Sequence, residues 1–322
     1  MPIIKNDEMD SSSKTLPSPE PNTVLNAWIV SLRLRTLPLA CCGVILGSAL
    51  ATTAIEQWSS AIFWATLITA VLLQLLANLA NDYGDFSKAA DTPKRLGPKR
   101  GMQLGLISPA QMRKAIWSTS LAAVCSGVLL MILACDSVAD LICFLALGVL
   151  SIGAALTYTL GRHAYGYRGL GDLSVFIFFG LVSVIGSYYL QTHRLDSSVL
   201  LPAVACGLLG VAVLNTNNMR DLQEDRRNGK ITLAVRLGSR RVRYYHLSLL
   251  ALSLASLLWS AWLFGNSRPW VWLFLLALPL FYQNAIATLH YRKSEQFRSQ
   301  LSVVIGINIV ALGGFAIGLL FT

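Results

Sequence analysis

The chain has 322 residues, of which 54% are hydrophobic and 13% charged, and its mean hydropathy is +0.57. These values exclude a soluble globular domain, in which about 25% of the residues are charged. The net charge of +10 would suit a protein that binds nucleic acid, but the basic residues lie in short segments between apolar runs. We therefore expect membrane lipid and phosphorylated substrates as partners, and no nucleic acid.

Nine apolar runs are long enough to cross a bilayer, because about 20 apolar residues on a helix span its hydrocarbon core. The predicted spans are residues 37–55, 61–80, 115–135, 141–160, 173–190, 199–218, 246–264, 270–289 and 301–320. Continuous rather than alternating apolar residues favour helices over a membrane β-barrel. The predicted fold class is thus an all-α membrane protein with about nine transmembrane helices. Residues 1–23 are predicted to be a disordered tail and residues 24–322 one polytopic domain.

The basic residues predict the orientation of the chain. If the nine spans alternate in direction, all but two of the 26 Lys and Arg residues lie on one side, and the exceptions are Arg194 and Arg268. The positive-inside rule places the basic side in the cytoplasm. We therefore expect a multi-pass protein of the plasma (inner) membrane, with its N-terminus and its basic loops in the cytoplasm.

Acidic residues cluster where the second and sixth spans end. The segments are ANLANDYGDFSKAAD, with Asp82, Asp85 and Asp91, and NTNNMRDLQEDRRNGK, with Asp221, Glu224 and Asp225. If the helices continue, one face carries Asn78, Asn81 and Asp85, with Asp82 at its edge, and the equivalent face of the sixth span carries Asn218, Asp221 and Asp225. The two spans run in the same direction, which is consistent with an ancient parallel repeat.

Carboxylates stacked on one helix face repel each other, so each cluster needs a compensating cation. Mg²⁺ prefers oxygen ligands and is commonly held by one or two carboxylates together with substrate phosphates. We therefore predict that Asp82, Asp85, Asp221 and Asp225 are the catalytic metal ligands. The amides of Asn78, Asn81 and Asn218 are predicted to bind phosphate or metal-bound water. The competing interpretation is solvated helix ends paired with Arg and Lys, but two matching clusters on parallel spans favour the metal site.

Basic residues follow each acidic cluster. Lys94, Arg100 and Lys230 are predicted to neutralise charge on a departing diphosphate. For any one of them, a role in membrane topology alone is an equally good interpretation.

The loop YTLGRHAYGYRGLGD between the fourth and fifth spans carries Tyr158, Tyr165 and Tyr167, whose π faces are candidates for stabilising a cationic centre. Anchoring at the membrane interface is the competing interpretation. Asp172, at the start of the fifth span, is predicted to bind metal or acceptor, or else to cap the helix. The six cysteines form no C-x-x-C pair and the four histidines have no ligand spacing, so neither a disulfide nor a zinc site is predicted.

The runs LANDYGD, GPKRGMQLG, YGYRGLGD and NNMRDLQEDRRNGKITLAVRLG resemble the UbiA superfamily of intramembrane prenyltransferases, and within it the branch that acts on 1,4-dihydroxy-2-naphthoate. The family's first motif, N-D-x-x-D-x-x-x-D, is matched at Asn81, Asp82 and Asp85 but ends on Ala89. The second motif, D-x-x-x-D, is matched by Asp221 and Asp225. Where many relatives have Y-x-x-x-K, this chain has Tyr158 and Arg162.

The resemblance implies a bundle of nine helices around a central cavity, with Mg²⁺ as cofactor. The implied reaction joins a polyprenyl diphosphate to the naphthoate ring carbon that bears the carboxylate, with loss of CO₂, to give a demethylmenaquinone-type product. Tyr158 and Arg162 would then be substrate-binding residues. Two alternatives stay open: another aromatic acceptor, such as 4-hydroxybenzoate or homogentisate, and a secondary transporter, although transporters place ionisable sites nearer the bilayer midplane.

Overall fold

The computed structural model describes residues 21–88, 100–290 and 296–321, and these residues form helices and turns without any strand. Within them, nine helices are long and apolar enough to cross a bilayer, which confirms the predicted fold class. They are α1 (Thr23–Ala51), α2 (Ser60–Ser87), α3 (Pro109–Ala134), α4 (Val138–Thr157), α5 (Gly171–Thr192), α6 (Ser197–Arg227), α7 (Leu233–Phe264), α8 (Pro269–His290) and α9 (Phe297–Leu320).

Four helices extend well beyond the apolar runs that predicted them. Helix α1 begins at Thr23, α2 continues to Ser87 and α6 to Arg227, so the acids at positions 82, 85, 221, 224 and 225 are helical. The fourth, α7, begins at Leu233 but is interrupted at Gly238, whose backbone is non-helical with φ 74°. Hydropathy falls where a helix leaves the hydrocarbon, but backbone hydrogen bonding continues until a residue interrupts it. Both motifs therefore lie on rigid helix ends and not in loops.

Helix α1 is broken near its middle. Its first segment ends at Leu32, and Arg33 adopts a left-handed conformation with φ 49° before the helix resumes at Leu37. Pro38 stands in the first turn of the second segment, where its missing N–H is tolerated. Residues 1–20 of the predicted tail lie outside the described residues, and the described chain is already helical from Pro21.

The bundle has two parts that meet at α1 and α5. The largest buried core joins α1 and α5 to α6, α7, α8 and α9, whereas α2 packs most extensively against α3, then against α1 and α4. A close approach joins α1 to α5, because a Cβ on Gly47 would lie 2.2 Å from the carbonyl oxygen of Val184. The space left between the two parts is the cavity described below.

Helix α5 contains a π-helical stretch, Phe176–Val182, beside that cavity. Such stretches insert an extra residue per turn and are frequent at functional sites. Here the stretch turns Phe178, Phe179 and Val182 toward the cavity. On its other side, Gly180 packs directly against Gly207 of α6.

Candidate functional site

A cavity of about 900 Å³ runs between α1, α2, α3, α4, α5 and α6. Most of its wall is apolar, with side chains such as Leu73, Leu147 and Phe178. One end is polar and charged. The lining residues there include Asn78, Asn81, Asp85, Arg100, Tyr158, Asn218, Asp221, Asp225 and Lys230. The structure therefore brings the two acidic motifs to the same end of one cavity.

Among the described residues, Lys230 lies between the two motifs. The Lys230 Nζ atom is 4.0 Å from Oδ1 of Asp85 and 3.9 Å from Oδ1 of Asp225. The turn after α6 places it there: Gly229 adopts a left-handed conformation with φ 71°, and the Lys230 amide donates to the Asp225 carbonyl at 2.8 Å. The ends of α2 and α6 thus share one cation.

The carboxylates of the first motif are buried and paired with arginines. Asp82, which is 1% exposed, accepts a hydrogen bond from Arg33 at 2.8 Å, and the same oxygen lies 3.1 Å from Arg100 Nε. Asp85 accepts from Arg100 Nη1 at 2.9 Å and from the Tyr167 hydroxyl at 2.7 Å. The second oxygen of Asp82 is buried and has no hydrogen-bond partner among the described residues.

The second motif has a different arrangement. Arg220, the neighbour of Asp221 in sequence, binds both oxygens of that carboxylate, with Nε and Nη2 at 2.7 and 2.6 Å. Such a bidentate pair is strong and geometrically specific. Asp225 is buried and faces Lys230. Each predicted metal ligand is therefore balanced by a basic side chain in this structure.

The predicted asparagines line the cavity, and two of them also bond to neighbouring segments of the chain. The Asn78 amide donates to the Leu32 carbonyl at 2.9 Å, which secures the break in α1. The Asn81 side chain accepts from Thr159 at 3.3 Å and so ties α2 to the end of α4. Asn218 is buried and lines the cavity.

Two tyrosines of the α4–α5 loop line the cavity next to its charged end. The rings of Tyr158 and Tyr165 meet edge to face, with centroids 5.2 Å apart. A side chain at Gly166 would strike Tyr158, because its Cβ would lie 2.7 Å from the Tyr158 carbonyl oxygen. Burial raises the pKa of Tyr158 well above its usual range, so its hydroxyl stays protonated.

Some predicted residues lie elsewhere. Arg162 is exposed and is not among the described residues that line the cavity. Asp172 is buried and accepts a hydrogen bond from Tyr245 at 3.1 Å, without being the cap of α5, a position held by Leu170. Lys94 lies outside the described residues, as do Asp91 and Lys99.

Two residues that touch the site acids were not predicted as site residues: Arg33 and Arg220. Tyr167 was predicted as a candidate for stabilising a cationic centre, but its hydroxyl binds Asp85. Arg33 is the partner of the most buried acid of the first motif, Asp82. A signal was available in the sequence, because an acid near hydrocarbon needs a counter-charge. The sequence did not indicate which of many basic residues supplies it.

The donor set fits Mg²⁺ that is bound together with a phosphorylated substrate. In the described ranges, no three His, Cys, Asp or Glu side chains come close enough to hold an ion by themselves. Mg²⁺ does not need such a cage, since it usually takes one or two carboxylates and completes its shell with water and phosphate oxygens. Asp82 is not among the described residues that line the cavity, but its second oxygen is buried and unpaired on the same helix end as Asp85, which does line it.

Comparison with known proteins agrees with this geometry. The 1,4-dihydroxy-2-naphthoate octaprenyltransferase of Escherichia coli (strain K12) is 52% identical over 80% of this chain and 83% of its own length. The enzyme of the same name from Haemophilus influenzae (strain KW20) is 43% identical over 93% of this chain and 97% of its own. The solved apo structure of a UbiA homologue from Aeropyrum pernix K1 is 16% identical and has the same fold, with a TM-score of 0.67 over 88% of this chain and 98% of that one.

The model of the UbiA prenyltransferase family matches residues 40–316, which is most of the chain. The resemblance predicted from the motifs is thereby confirmed. The protein is an integral, multi-pass membrane prenyltransferase, and it belongs to the UbiA prenyltransferase family.

Proposed function

We propose that this chain transfers the polyprenyl group of a polyprenyl diphosphate to 1,4-dihydroxy-2-naphthoate, with release of diphosphate and CO₂. The observation that carries the proposal is the meeting of the two Asn/Asp helix ends, with Lys230 between them, at the charged end of an otherwise apolar cavity. The choice of acceptor is supported by the names of the relatives that are 52% and 43% identical.

The cavity suits a substrate with a charged head and a long apolar tail. The diphosphate would bind at the charged end, near Arg100, Arg220 and Lys230, and the prenyl tail would follow the apolar wall. Mg²⁺, held by Asp82, Asp85, Asp221 and Asp225, would neutralise the charge that develops on the departing diphosphate. The Asn78, Asn81 and Asn218 amides would bind phosphate oxygens or metal-bound water.

The reaction breaks two bonds to carbon and forms one. The bond between the allylic carbon and the diphosphate oxygen breaks, and its electron pair leaves with the diphosphate. The ring carbon that bears the carboxylate then bonds to the allylic carbon. The bond from that ring carbon to the carboxylate breaks, its electrons return to the ring, and CO₂ is released. Tyr158 and Tyr165, whose rings lie next to the charged end, would stabilise the allylic cation through their π faces.

We further propose that the charged end of the cavity faces the cytoplasm in the plasma (inner) membrane. The support is the distribution of Lys and Arg, which are concentrated at the same ends of the helices as the two motifs. A diphosphate and a water-soluble aromatic acid made in the cytoplasm would then reach the site directly.

The test is to incubate the purified chain and Mg²⁺ with polyprenyl diphosphates of several lengths and with each of three acceptors, and to identify products by mass. We expect a decarboxylated prenyl naphthalene from 1,4-dihydroxy-2-naphthoate. If only 4-hydroxybenzoate or homogentisate gave a product, that compound and not the naphthoate would be the acceptor.

Two variants test the site. Asp85→Ala and Asp221→Ala should each abolish product while the protein stays folded and inserted. A matched control is Asp196→Ala, which removes an acid at the opposite end of the bundle, where Asp196 accepts from the Ser198 amide at 2.8 Å. Full turnover in both motif variants would show that the acidic clusters are not the catalytic site.

A further inference from the structure

Tyr167 lies behind the charged end of the cavity and not in its wall. It belongs to the short helical turn Tyr165–Arg168 between α4 and α5. Tyr158 and Tyr165 line the cavity, but Tyr167 is absent from the described lining residues. Its ring therefore does not face the space where an allylic group would bind. Stabilisation of an allylic cation, which the sequence suggested for all three tyrosines, is thus not the role of Tyr167.

The contacts of Tyr167 reach both halves of the site. Its hydroxyl donates to Oδ1 of Asp85 at 2.7 Å, at the end of α2. Two ammonium groups make cation–π contacts with its ring: Lys88 Nζ lies 4.1 Å and Lys230 Nζ 5.4 Å from the ring centroid. Its carbonyl accepts from the Ile231 amide at 3.1 Å, which attaches the turn to the segment after α6.

The hydroxyl of Tyr167 and the ammonium of Lys230 compete for one oxygen atom. Asp85 Oδ1 accepts the phenol at 2.7 Å, while Lys230 Nζ stays 4.0 Å away from the same atom, beyond hydrogen-bond length. The other oxygen of Asp85 is taken by Arg100 at 2.9 Å. Without the phenol, the Lys230 ammonium, already 4.0 Å from Oδ1, would close into a direct ion pair with Asp85.

Such an ion pair would change the site, because Lys230 lines the cavity and is held between the two motifs, 3.9 Å from Asp225. We propose that Tyr167 is a positioning residue that keeps the Lys230 ammonium between the two acidic motifs and available to a diphosphate. It does so by occupying Asp85 with its hydroxyl and by supporting the ammonium with its ring. This inference rests on the proposed function only in taking a diphosphate as the ligand.

The test measures binding and needs no turnover. The probe is a non-reactive prenyl thiolodiphosphate, titrated calorimetrically into the purified full chain with saturating Mg²⁺. Tyr167→Phe should raise the Kd about tenfold, because the probe must then draw the Lys230 ammonium out of an ion pair with Asp85. Tyr167→Leu should raise it further, because the ring contact with the ammonium is also lost.

Two comparisons separate positioning from a general loss of structure. Tyr189→Phe removes the same kind of bond at the opposite end of the bundle, where the Tyr189 hydroxyl donates to Asp140 at 2.6 Å, and it should leave the Kd unchanged. In a Lys230→Met background, Tyr167→Phe should change the Kd by less than about twofold, since the residue through which it acts is gone.

Two results would overturn the proposal. One is a Tyr167→Phe variant that binds the probe with the parental Kd. The other is an effect of Tyr167→Phe on the Kd that is as large in the Lys230→Met background as in the parental chain. Tyr167→Phe keeps the packed ring, so it decides the question even if Tyr167→Leu does not fold. Failure of the parental chain to bind the probe would instead count against the proposed function, and the two failures are therefore distinguishable.

Discussion

Arg100 is the residue whose removal should most disturb the balance of charge in the site. It is 5% exposed, its Nε lies 3.1 Å from Asp82, and its Nη1 lies 2.9 Å from Asp85. Arg100→Met would therefore leave two buried carboxylates with one fewer counter-charge. Removing one partner of a buried ion pair costs about 3–5 kcal/mol. We expect the lower end, about 3 kcal/mol, because Arg33 still contacts Asp82 and Lys230 still lies near Asp85.

The stability lost in Arg100→Met should depend on Mg²⁺. A ligand that binds only the folded state stabilises it, by about 2.7 kcal/mol when present at 100 times its Kd. In Arg100→Met the carboxylates are freed for a cation, so added Mg²⁺ should restore most of the lost stability. The parental chain should gain less, because there Mg²⁺ must compete with the guanidinium.

The assay is equilibrium unfolding in detergent, with EDTA and with saturating Mg²⁺. Arg113→Met is a suitable control, because Arg113 is exposed and, within the part of the chain that the structure describes, donates only to the Tyr83 hydroxyl, at 3.2 Å. It should change the unfolding free energy by less than about 0.5 kcal/mol. Parental stability of Arg100→Met in EDTA would refute the role of Arg100 as a counter-charge. A loss that Mg²⁺ does not reduce would show that the cation does not bind these carboxylates.

Three further predictions concern helix packing, the cavity and the ligands. Gly84→Ala should cost about 1–3 kcal/mol and lower activity, because the new Cβ would lie 2.4 Å from Thr159 Oγ1, whereas Gly153→Ala, with open space around it, should be neutral by the same unfolding assay. Gly148→Leu places a side chain in the apolar part of the cavity and should shift products toward shorter prenyl chains, measured by mass from a mixture of donors. An unchanged distribution of chain lengths would show that the prenyl tail does not lie against this wall. Inorganic diphosphate and Mg²⁺ should each raise the other's affinity by the same factor in calorimetric titrations, and independent binding would contradict a shared site.

The transmembrane helices could be predicted because a continuous apolar run is what allows a helix to cross the bilayer. The residues at which the helices begin and end could not be predicted. The run that predicted α7 begins at His246, whereas the helix begins at Leu233. Between these residues the chain carries four arginines and its helix is broken at Gly238, so its hydropathy does not distinguish it from a loop. The same limit hid the break in α1 at Arg33, which depends on a backbone conformation and on a tertiary contact from Asn78.

The acids of the site could be predicted and their partners could not. Spacing along a helix placed Asp85 and Asp225 on faces that could meet, because helical periodicity is a local property. The cation between them, Lys230, depends on a left-handed turn at Gly229. The sequence treats Tyr158 and Tyr167 alike, yet only the fold of their loop directs one ring to the cavity and the other to Asp85.

The pairing of charges explains how an acidic site persists at the edge of a membrane before any substrate arrives. Four carboxylates, of Asp82, Asp85, Asp221 and Asp225, are matched by four basic side chains, of Arg33, Arg100, Arg220 and Lys230. A site balanced in this way avoids the cost of isolated buried charge. A diphosphate alone would add negative charge to it and Mg²⁺ alone positive charge, whereas the two together keep it near neutrality. Under the proposed function, this balance favours joint entry of metal and substrate, after which the basic side chains would turn from the carboxylates to the diphosphate as that group departs.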